Sequence, residues 1–150
     1  MALDDAKRAF IDHNRSAAMI TLRRDGTAHA VRVGVGLIDG KLWSSGTRDR
    51  VRTRHLRRDP RSTLFIFDGM WQWLTLECRV TILDGAGVPE QSLRFFRSIQ
   101  PPRPDGRLTW FGRDVSEAEL LQIMVEEKRI IYEFHVLRAY GMFGTPPGSA

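Results

Sequence analysis

Apolar and polar residues alternate along six segments of the chain, with the period of two that is typical of β-strands. These segments are residues 17–23, 28–38, 41–45, 62–67, 74–82 and 130–137. Asp25-Gly26 and Asp39-Gly40 separate the first three segments, and Asp-Gly pairs between alternating runs are typical of tight hairpin turns. The pattern therefore predicts an antiparallel meander at the start of the chain.

Helical signals occur outside these strands. They mark residues 4–14, residues 89–99 and a segment that starts at the capping box formed by Ser116 and Glu119. Residues 100–107 have the composition of an irregular loop, and the tail from Met142 to Ala150 is rich in glycine and proline, so a loose tail is expected. Six strands with few helices and no regular strand–helix alternation predict a mainly β fold. We expect a six-stranded antiparallel barrel with flanking helices, in one domain spanning residues 1–150.

The composition is that of an ordinary globular protein, with 42% hydrophobic residues and apolar runs too short to cross a membrane. Residues 1–14 carry no apolar signal core, so a reducing cytoplasm is the expected compartment. The one cysteine, Cys78, excludes an internal disulfide and makes a cysteine-based metal cluster unexpected, and no metal site is predicted. Cys78 lies on the apolar face of its strand, which favours core packing over a nucleophilic role.

Positive charge is concentrated in one segment. The formal net charge is +5, and all but three of the 23 lysines and arginines are arginine. Residues 44–61 contain seven arginines against two acids and connect two predicted strands. A strand, a short polar turn and a basic helix can together hold a phosphate, because the turn and the helix N-terminus offer N–H groups and arginine supplies paired donors.

A helical wheel divides this basic segment into two sides. Val51, His55 and Leu56 share one side with Arg48 and Arg52. Because Val51 and Leu56 should be buried, Arg48 and Arg52 should point inward, where a charge needs an anionic partner. The other arginines should face outward, at positions 50, 54, 57, 58 and 61. The alternative interpretation is a solvated helix in an arginine-rich protein.

Gly34 and Gly36 leave one face of the second predicted strand nearly bare beside Arg32. Glycines in a strand indicate a bulge or the close approach of a ligand or another chain segment, and these interpretations are compatible. On the opposite face, His29 has no partner in the sequence for metal binding or base catalysis. We therefore expect His29 to be a hydrogen-bonded structural or surface histidine.

Two tryptophans flank a glutamine at the entrance of the fifth predicted strand, in the run Met70-Trp71-Gln72-Trp73. Aromatic side chains at this position could pack on the end of the barrel or in a dimer interface. They could equally form the wall of a site for a flat aromatic ligand.

The order of these parts resembles the split β-barrel flavin and deazaflavin oxidoreductases, the pyridoxamine-phosphate-oxidase-like superfamily. The resemblance is carried by residues 17–69, by WLTLECRV at 73–80 and by RIIYEFHVLRAYG at 129–141. Within this superfamily, the sequence is similar above all to the actinobacterial branch that binds the deazaflavin coenzyme F420. The resemblance implies an FMN-binding split-barrel type of fold.

The resemblance also implies a cofactor site. The turn and helix that hold the cofactor phosphate in that family correspond here to Ser45, Gly46, Thr47, Arg48, Val51 and Arg52. Arg52 stands where lysine is more usual. Arg32 and its small neighbours correspond to the strand that lies along the cofactor. Trp71, Gln72 and Trp73 fall where members of the family tend to contact the cofactor ring or the partner subunit.

The function implied by the resemblance is that of an F420-dependent oxidoreductase acting on a small organic substrate. It implies a homodimer with the cofactor groove at the subunit interface. F420 carries a phosphate and an oligoglutamate tail, so the outward arginines could contact the tail, which FMN lacks. No acid–base pair stands out. The possible proton donors are His29, Glu77, Tyr132 and Glu133, and no catalytic residue is predicted.

Three alternatives remain open. One is an FMN-binding relative, although the tryptophan- and arginine-rich C-terminal motif of true pyridoxamine phosphate oxidases is missing, so vitamin B6 oxidation is not expected. Another is a non-catalytic F420 carrier on the same fold. The third is a nucleic-acid-binding barrel, which is disfavoured because the basic charge lies in one segment rather than along a strand face.

Overall fold

The computed structural model of the chain describes residues 3–144. Within this range there are four helices: α1 (Asp5–His13), α2 (Val51–Arg58), α3 (Val88–Ile99) and α4 (Glu117–Glu126). The strands are β1 (Ser16–Leu22), β2 (Ala28–Gly34), β3 (Gly36–Ile38), β4 (Lys41–Thr47), β5 (Arg61–Asp68), β6 (Gln72–Leu83), β7 (Leu108–Trp110), β8 (Arg113–Val115) and β9 (Arg129–Met142). Among the described helices, none combines the length and the apolar character that crossing a membrane requires.

Seven of the strands form one antiparallel sheet in the order β2-β1-β5-β6-β9-β4-β3. Its two edge strands, β2 and β3, follow each other in the chain with only Val35 between them. The sheet must therefore curl until its edges approach each other, which produces a split barrel. The predicted mainly β split barrel with flanking helices is confirmed.

The main sheet has seven strands instead of the predicted six because the segment 28–38 forms two strands. A Cβ atom added at Gly34 would lie 3.2 Å from the Ile99 side chain, and one added at Gly36 would lie 3.0 Å from it. The bare glycine face therefore accepts the C-terminal end of α3. The space beside these glycines is thus filled by the Ile99 side chain, and the approach of a ligand stays a prediction.

The second half of the chain differs from the prediction in two places. The hairpin of β7 and β8, which follows the predicted loop 100–107, was not predicted, because two strands of three residues are too short to show a period. The last strand, β9, includes Met142, which was predicted to be the first residue of the loose tail. Residues 145–150 of that tail lie outside the described residues.

The main core lies inside the barrel, and Leu56 of α2 and Cys78 of β6 are part of it. The predicted packing role of Cys78 is confirmed, and burial raises the pKa of its thiol to about 12, which makes the thiolate nucleophile inaccessible. A second cluster joins α3, the β7–β8 hairpin and α4 around Trp110 and Leu120. The capping box of Ser116 and Glu119 is present at the start of α4, as predicted.

The pairing of β6 with β9 leaves no room for a side chain at Gly141. An added Cβ atom would lie 2.9 Å from the Cα atom of Leu74 and would collide with the carbonyl oxygen of Trp73. Because backbone atoms cannot rotate away, we expect Gly141→Ala to lower the free energy of unfolding by about 1–3 kcal/mol or more, measured by urea denaturation.

Gly85→Ala is the matched control. A Cβ atom at Gly85 meets nothing within 4 Å, and the backbone there does not have a positive φ. Its free energy of unfolding should stay within about 0.5 kcal/mol of the wild-type value. A Gly141→Ala variant as stable as this control would contradict the observed pairing of β6 and β9.

Candidate anion-binding site

The turn between β4 and α2 is tied down at both ends. The Thr53 side chain donates a hydrogen bond of 2.8 Å to the carbonyl oxygen of Thr47, the last residue of β4. The backbone N–H of Arg48 donates to the carbonyl oxygen of Lys128, which directly precedes β9, at 3.0 Å. The first turn of α2 is therefore held against the ends of two neighbouring strands.

Tyr132 of β9 completes this arrangement from inside the barrel. It is fully buried, and its hydroxyl lies 2.5 Å from Oγ1 of Thr53. Because the Thr53 hydroxyl already donates to Thr47, the Tyr132 hydroxyl is the donor in this contact. A Cβ atom at Gly46 would lie 2.6 Å from the Tyr132 ring. Gly46, predicted as part of a phosphate turn, thus makes room for Tyr132.

Arg52 lies beside this contact and is half-buried. Its guanidinium carbon is 5.5 Å from the centroid of the Tyr132 ring, and its Nη2 is 3.5 Å from the carbonyl oxygen of Ser45. Within residues 3–144, Nε of Arg52 and Oγ of Ser45 are both buried without a hydrogen-bond partner. Two neighbouring residues therefore present unsatisfied polar groups, which is costly unless a ligand or water satisfies them.

The electrostatic surroundings of Arg52 favour an anion. Burial is the largest cause that lowers the pKa of its guanidinium; contact with Tyr132 opposes the shift, and the nearby charges of Arg50 and Arg129 add to it. The charged groups that act on Arg52 are thus other cations. An anion placed here would offset both the burial of the charge and this repulsion.

The predicted inward orientation of Arg48 and Val51 is wrong. Both are exposed, Val51 with 45% of its surface accessible. The wheel assumed a helix that includes residue 48, whereas α2 begins at Val51, so Arg48 lies in a turn without helical phase. The buried side of α2 is instead formed by Thr53, His55 and Leu56.

The outward arginines are exposed as predicted. Some of them have partners: Arg57 pairs with Asp84 at 3.3 Å, Arg61 pairs with Asp59 at 2.8 Å, and Arg58 donates to the carbonyl oxygen of Leu22. Arg50 and Arg54 make no side-chain hydrogen bond or ion pair within the described part of the chain. Of the outward arginines, Arg50 at the N-cap of α2 and Arg54 on α2 therefore remain available to a ligand.

Arg32 lies apart from the Arg52 site, on the outer face of the sheet. Its Nε donates to Oγ of Ser16 at 2.8 Å. It lines a groove of about 510 Å³ whose other residues are small or apolar: Ser16, Ala17, Ala18, Ala30, Val31 and Phe67. The small side chains give the groove a flat floor, which suits a planar ligand.

The three residues of the Trp-Gln-Trp run have different surroundings. Trp73 lies 6.0 Å from Phe65 and 6.3 Å from Tyr140, and Phe65 lies 5.7 Å from Phe67, measured between ring centroids. An aromatic row therefore leads from Trp73 to the groove. Gln72 accepts a hydrogen bond of 3.1 Å from the backbone of Gly144, and Trp71 lies in the preceding turn.

The structure thus divides the predicted residues into two groups. Ser45, Thr47 and Arg52 meet at the start of α2, whereas Arg32 and Trp73 belong to the outer face. Thr53 and Tyr132 organise the first group, a role that was not predicted for either residue; Tyr132 was considered only as a possible proton donor. Their signal in the sequence was weak, because a threonine in a helix and a tyrosine in an apolar strand are both unremarkable on their own.

Solved structures share this fold at low sequence identity. A conserved hypothetical protein from Mycobacterium tuberculosis has a TM-score of 0.70 and 19% identity, over 100% of this chain and 95% of that protein. An F420 reductase has a TM-score of 0.66 and 16% identity, over 92% of this chain and 98% of that protein. The heme storage protein HutZ from Vibrio cholerae has a TM-score of 0.65 and 11% identity, over 96% of this chain and 98% of that protein. At these identities the likeness concerns the fold.

The family model described as pyridoxamine 5'-phosphate oxidase matches residues 3–126. The match includes the turn, α2 and the outer-face groove, so it covers both groups of candidate residues. Together with the split barrel, it confirms the resemblance to the wider superfamily of flavin and deazaflavin oxidoreductases. The chain belongs to the pyridoxamine 5'-phosphate oxidase family.

Proposed function

We propose that the chain is an F420-dependent oxidoreductase whose cofactor phosphate is held by Arg52 and Ser45. The observation that carries the proposal is the pair of buried groups without partners, Nε of Arg52 and Oγ of Ser45. A phosphate oxygen accepts hydrogen bonds from both a guanidinium and a hydroxyl, so a phosphate has the right chemistry for either of these groups. The positive surroundings of Arg52 support the same assignment.

The outer-face groove supports a place for the planar part of the cofactor. Its floor is apolar and nearly flat, and Arg32 supplies one charged donor at its side. A bound deazaflavin would supply hydride chemistry, for which the protein needs to bind, orient and exclude water. The residues of the groove are suited to binding and orienting the ring, and the aromatic row from Phe67 to Trp73 is suited to excluding water.

F420 is favoured over FMN by the charge on α2. Arg50 and Arg54 are exposed and have no acidic partner within residues 3–144, so an extended anionic tail would find two free cations beside the phosphate site. The fold similarity to an F420 reductase agrees with this choice. FMN binding and non-catalytic F420 binding are the competing functions, because both would use the same Arg52 site.

We further propose that two copies of the chain associate through the outer face of β5, β6 and β9. The helices pack mainly on β1, β3, β4 and β9, and on β9 their contacts include Ile131 near its start. Exposed apolar residues lie on β5 and on the second half of β9. They are Phe67, Leu137, Tyr140 and Met142. Covering them would also place the groove at a subunit interface, because Phe67 lines both surfaces.

The phosphate assignment is tested at Arg52. We expect Arg52→Ala to weaken F420 binding more than tenfold, because a partly buried charge-assisted contact contributes about 1.5–3 kcal/mol. Arg52→Lys should keep more of the affinity, since it retains the charge. Isothermal titration with F420 and FMN measures both effects and also ranks the two cofactors.

Arg79→Ala serves as the control for net charge, since Arg79 is an exposed arginine on β6. Its affinity for F420 should match that of the wild type. If Arg52→Ala also binds F420 with unchanged affinity, the phosphate is not held at this site. A wild-type preference for FMN would move the protein to the flavin-binding function.

The tail assignment is tested with the double variant Arg50→Ala/Arg54→Ala. We expect it to weaken binding of F420 with a long oligoglutamate tail more than binding of a tail-less analogue, because only the former reaches the two cations. Arg57→Ala is the control, since Arg57 is occupied by Asp84. Equal losses for the two ligands would show that Arg50 and Arg54 do not contact the tail.

The dimer is tested by placing a charge on the outer face. Phe67 is 61% exposed, and Phe67→Glu should convert a dimer to a monomer in light scattering at a fixed protein concentration. The control is Phe111→Glu at the tip of the β7–β8 hairpin, where Phe111 is 81% exposed. A monomeric wild type, or a dimer that only Phe111→Glu disrupts, would contradict this interface.

A further inference from the structure

Two imidazole rings lie together beneath α2, inside the end of the barrel. Nδ1 of His55 lies 2.9 Å from Oγ1 of Thr21, which is fully buried. The ring of His29 meets that of His55 edge to face, with centroids 5.2 Å apart and an angle of 88°. Nδ1 of His29 is buried without a hydrogen-bond partner in the described part of the chain. The hydrogen bond predicted for His29 is thus absent from the described residues, and its ring packs on a second histidine instead.

This histidine pair secures the side of α2 that also carries Arg52. His55 follows Arg52 by three residues, so the two side chains lie on the same side of the helix. The bond between His55 and Thr21 ties α2 to β1, while the bond between Thr53 and Tyr132 ties it to β9. Of these two contacts, only the one between His55 and Thr21 contains an imidazole, the side chain whose charge ordinarily changes between pH 5 and pH 8.

The charges around the pair are positive. Burial is the largest cause that lowers the pKa of His55, followed by His29 on β2, Arg58 on α2, Arg23 after β1 and Arg54 on α2. No acid is among the groups that act on His55. A proton on His55 would therefore meet burial, the second imidazole and several guanidinium groups, and none of these groups is a carboxylate.

We propose that His29 and His55 form a proton-sensitive clasp: the neutral pair holds α2 with Arg52 in the anion-binding position, and protonation releases α2 and weakens anion binding. The pair acts as a positioning device, since neither ring contacts the anion site itself. The link to affinity rests on the proposed phosphate role of Arg52. The clasp itself rests only on the contacts of His29, His55 and Thr21.

The direction of the pH effect follows from proton linkage. When α2 is released, His55 becomes accessible and regains the ordinary histidine pKa of about 6.5. When α2 is docked, the pKa of His55 is lower. The released state therefore binds the proton first as the pH falls, so docking weakens from about pH 6.5 down to the lowered pKa and is at full strength above pH 6.5.

Hydrogen exchange of the wild-type protein tests the clasp without any ligand. The protection factors of the α2 amides should fall between about pH 7.5 and pH 5.5, since α2 opens as His55 takes up a proton. The amides of α4, which has no histidine, are the internal control and should keep their protection. Unchanged protection of α2 over this range would overturn the proposal.

Sulfate binding tests the link to the anion site, because the charge of sulfate does not change over this range. Wild-type affinity should fall about threefold or more between pH 7.5 and pH 5.5. His55→Asn should flatten this dependence, since an amide can replace Nδ1 towards Thr21 without titrating. The control is His13→Asn, at an exposed position on α1, which should retain the wild-type pH profile.

The outcomes separate the two proposals. Sulfate affinity that rises on acidification would show that the protonated pair attracts the anion, which contradicts a clasp that releases it. A wild-type protein that binds neither sulfate nor F420 at any pH would reject the Arg52 site, while the exchange data would still decide the clasp. If His55→Asn does not fold, His29→Phe is the second variant, because it keeps an aromatic ring against His55 and removes one titrating group.

Discussion

The candidate site depends on the hydrogen bond from the buried hydroxyl of Tyr132 to Thr53. Through Thr53 it connects β9 to the end of β4 and to the first turn of α2. The arrangement is possible only because position 46 is glycine, where any side chain would collide with the tyrosine ring. One contact inside the barrel thereby sets the position of Arg52 at its end.

The contrast between satisfied and unsatisfied polar groups distinguishes the site from its surroundings. Thr53 and Tyr132 are buried and satisfied, so they need no ligand. Ser45 and Arg52 are their immediate neighbours and still present buried groups without partners. A rigid frame that surrounds unsatisfied donors is what a preorganised binding site requires, because the cost of ordering it is met on folding rather than on binding.

On the outer face of the sheet, exposed apolar area rather than unsatisfied polar groups is the main feature. Its exposed aromatic and aliphatic residues have no helix above them, and it includes the flat groove beside Arg32. Apolar area of this kind is stabilised by being covered, so assembly and ligand binding would draw on the same surface. The phosphate end of a ligand would instead depend on charge. Separating the two requirements would let a small barrel with a filled interior bind a large ligand on its outside.

The amino-acid sequence by itself determined the six alternating segments, the hairpin turns, the capping box of α4 and the burial of Cys78, because these features depend on local period and turn chemistry. It also placed Arg52 on a partly buried helix face. Only the tertiary structure decided where α2 begins, which moved Arg48 and Val51 outward, and that Gly34 and Gly36 make room for Ile99. It alone brought Tyr132 to Thr53 and His29 to His55, pairs that are 79 and 26 residues apart in the chain. Such contacts depend on strand register and helix placement, which are set by the packing of the whole barrel and leave no local trace in the sequence.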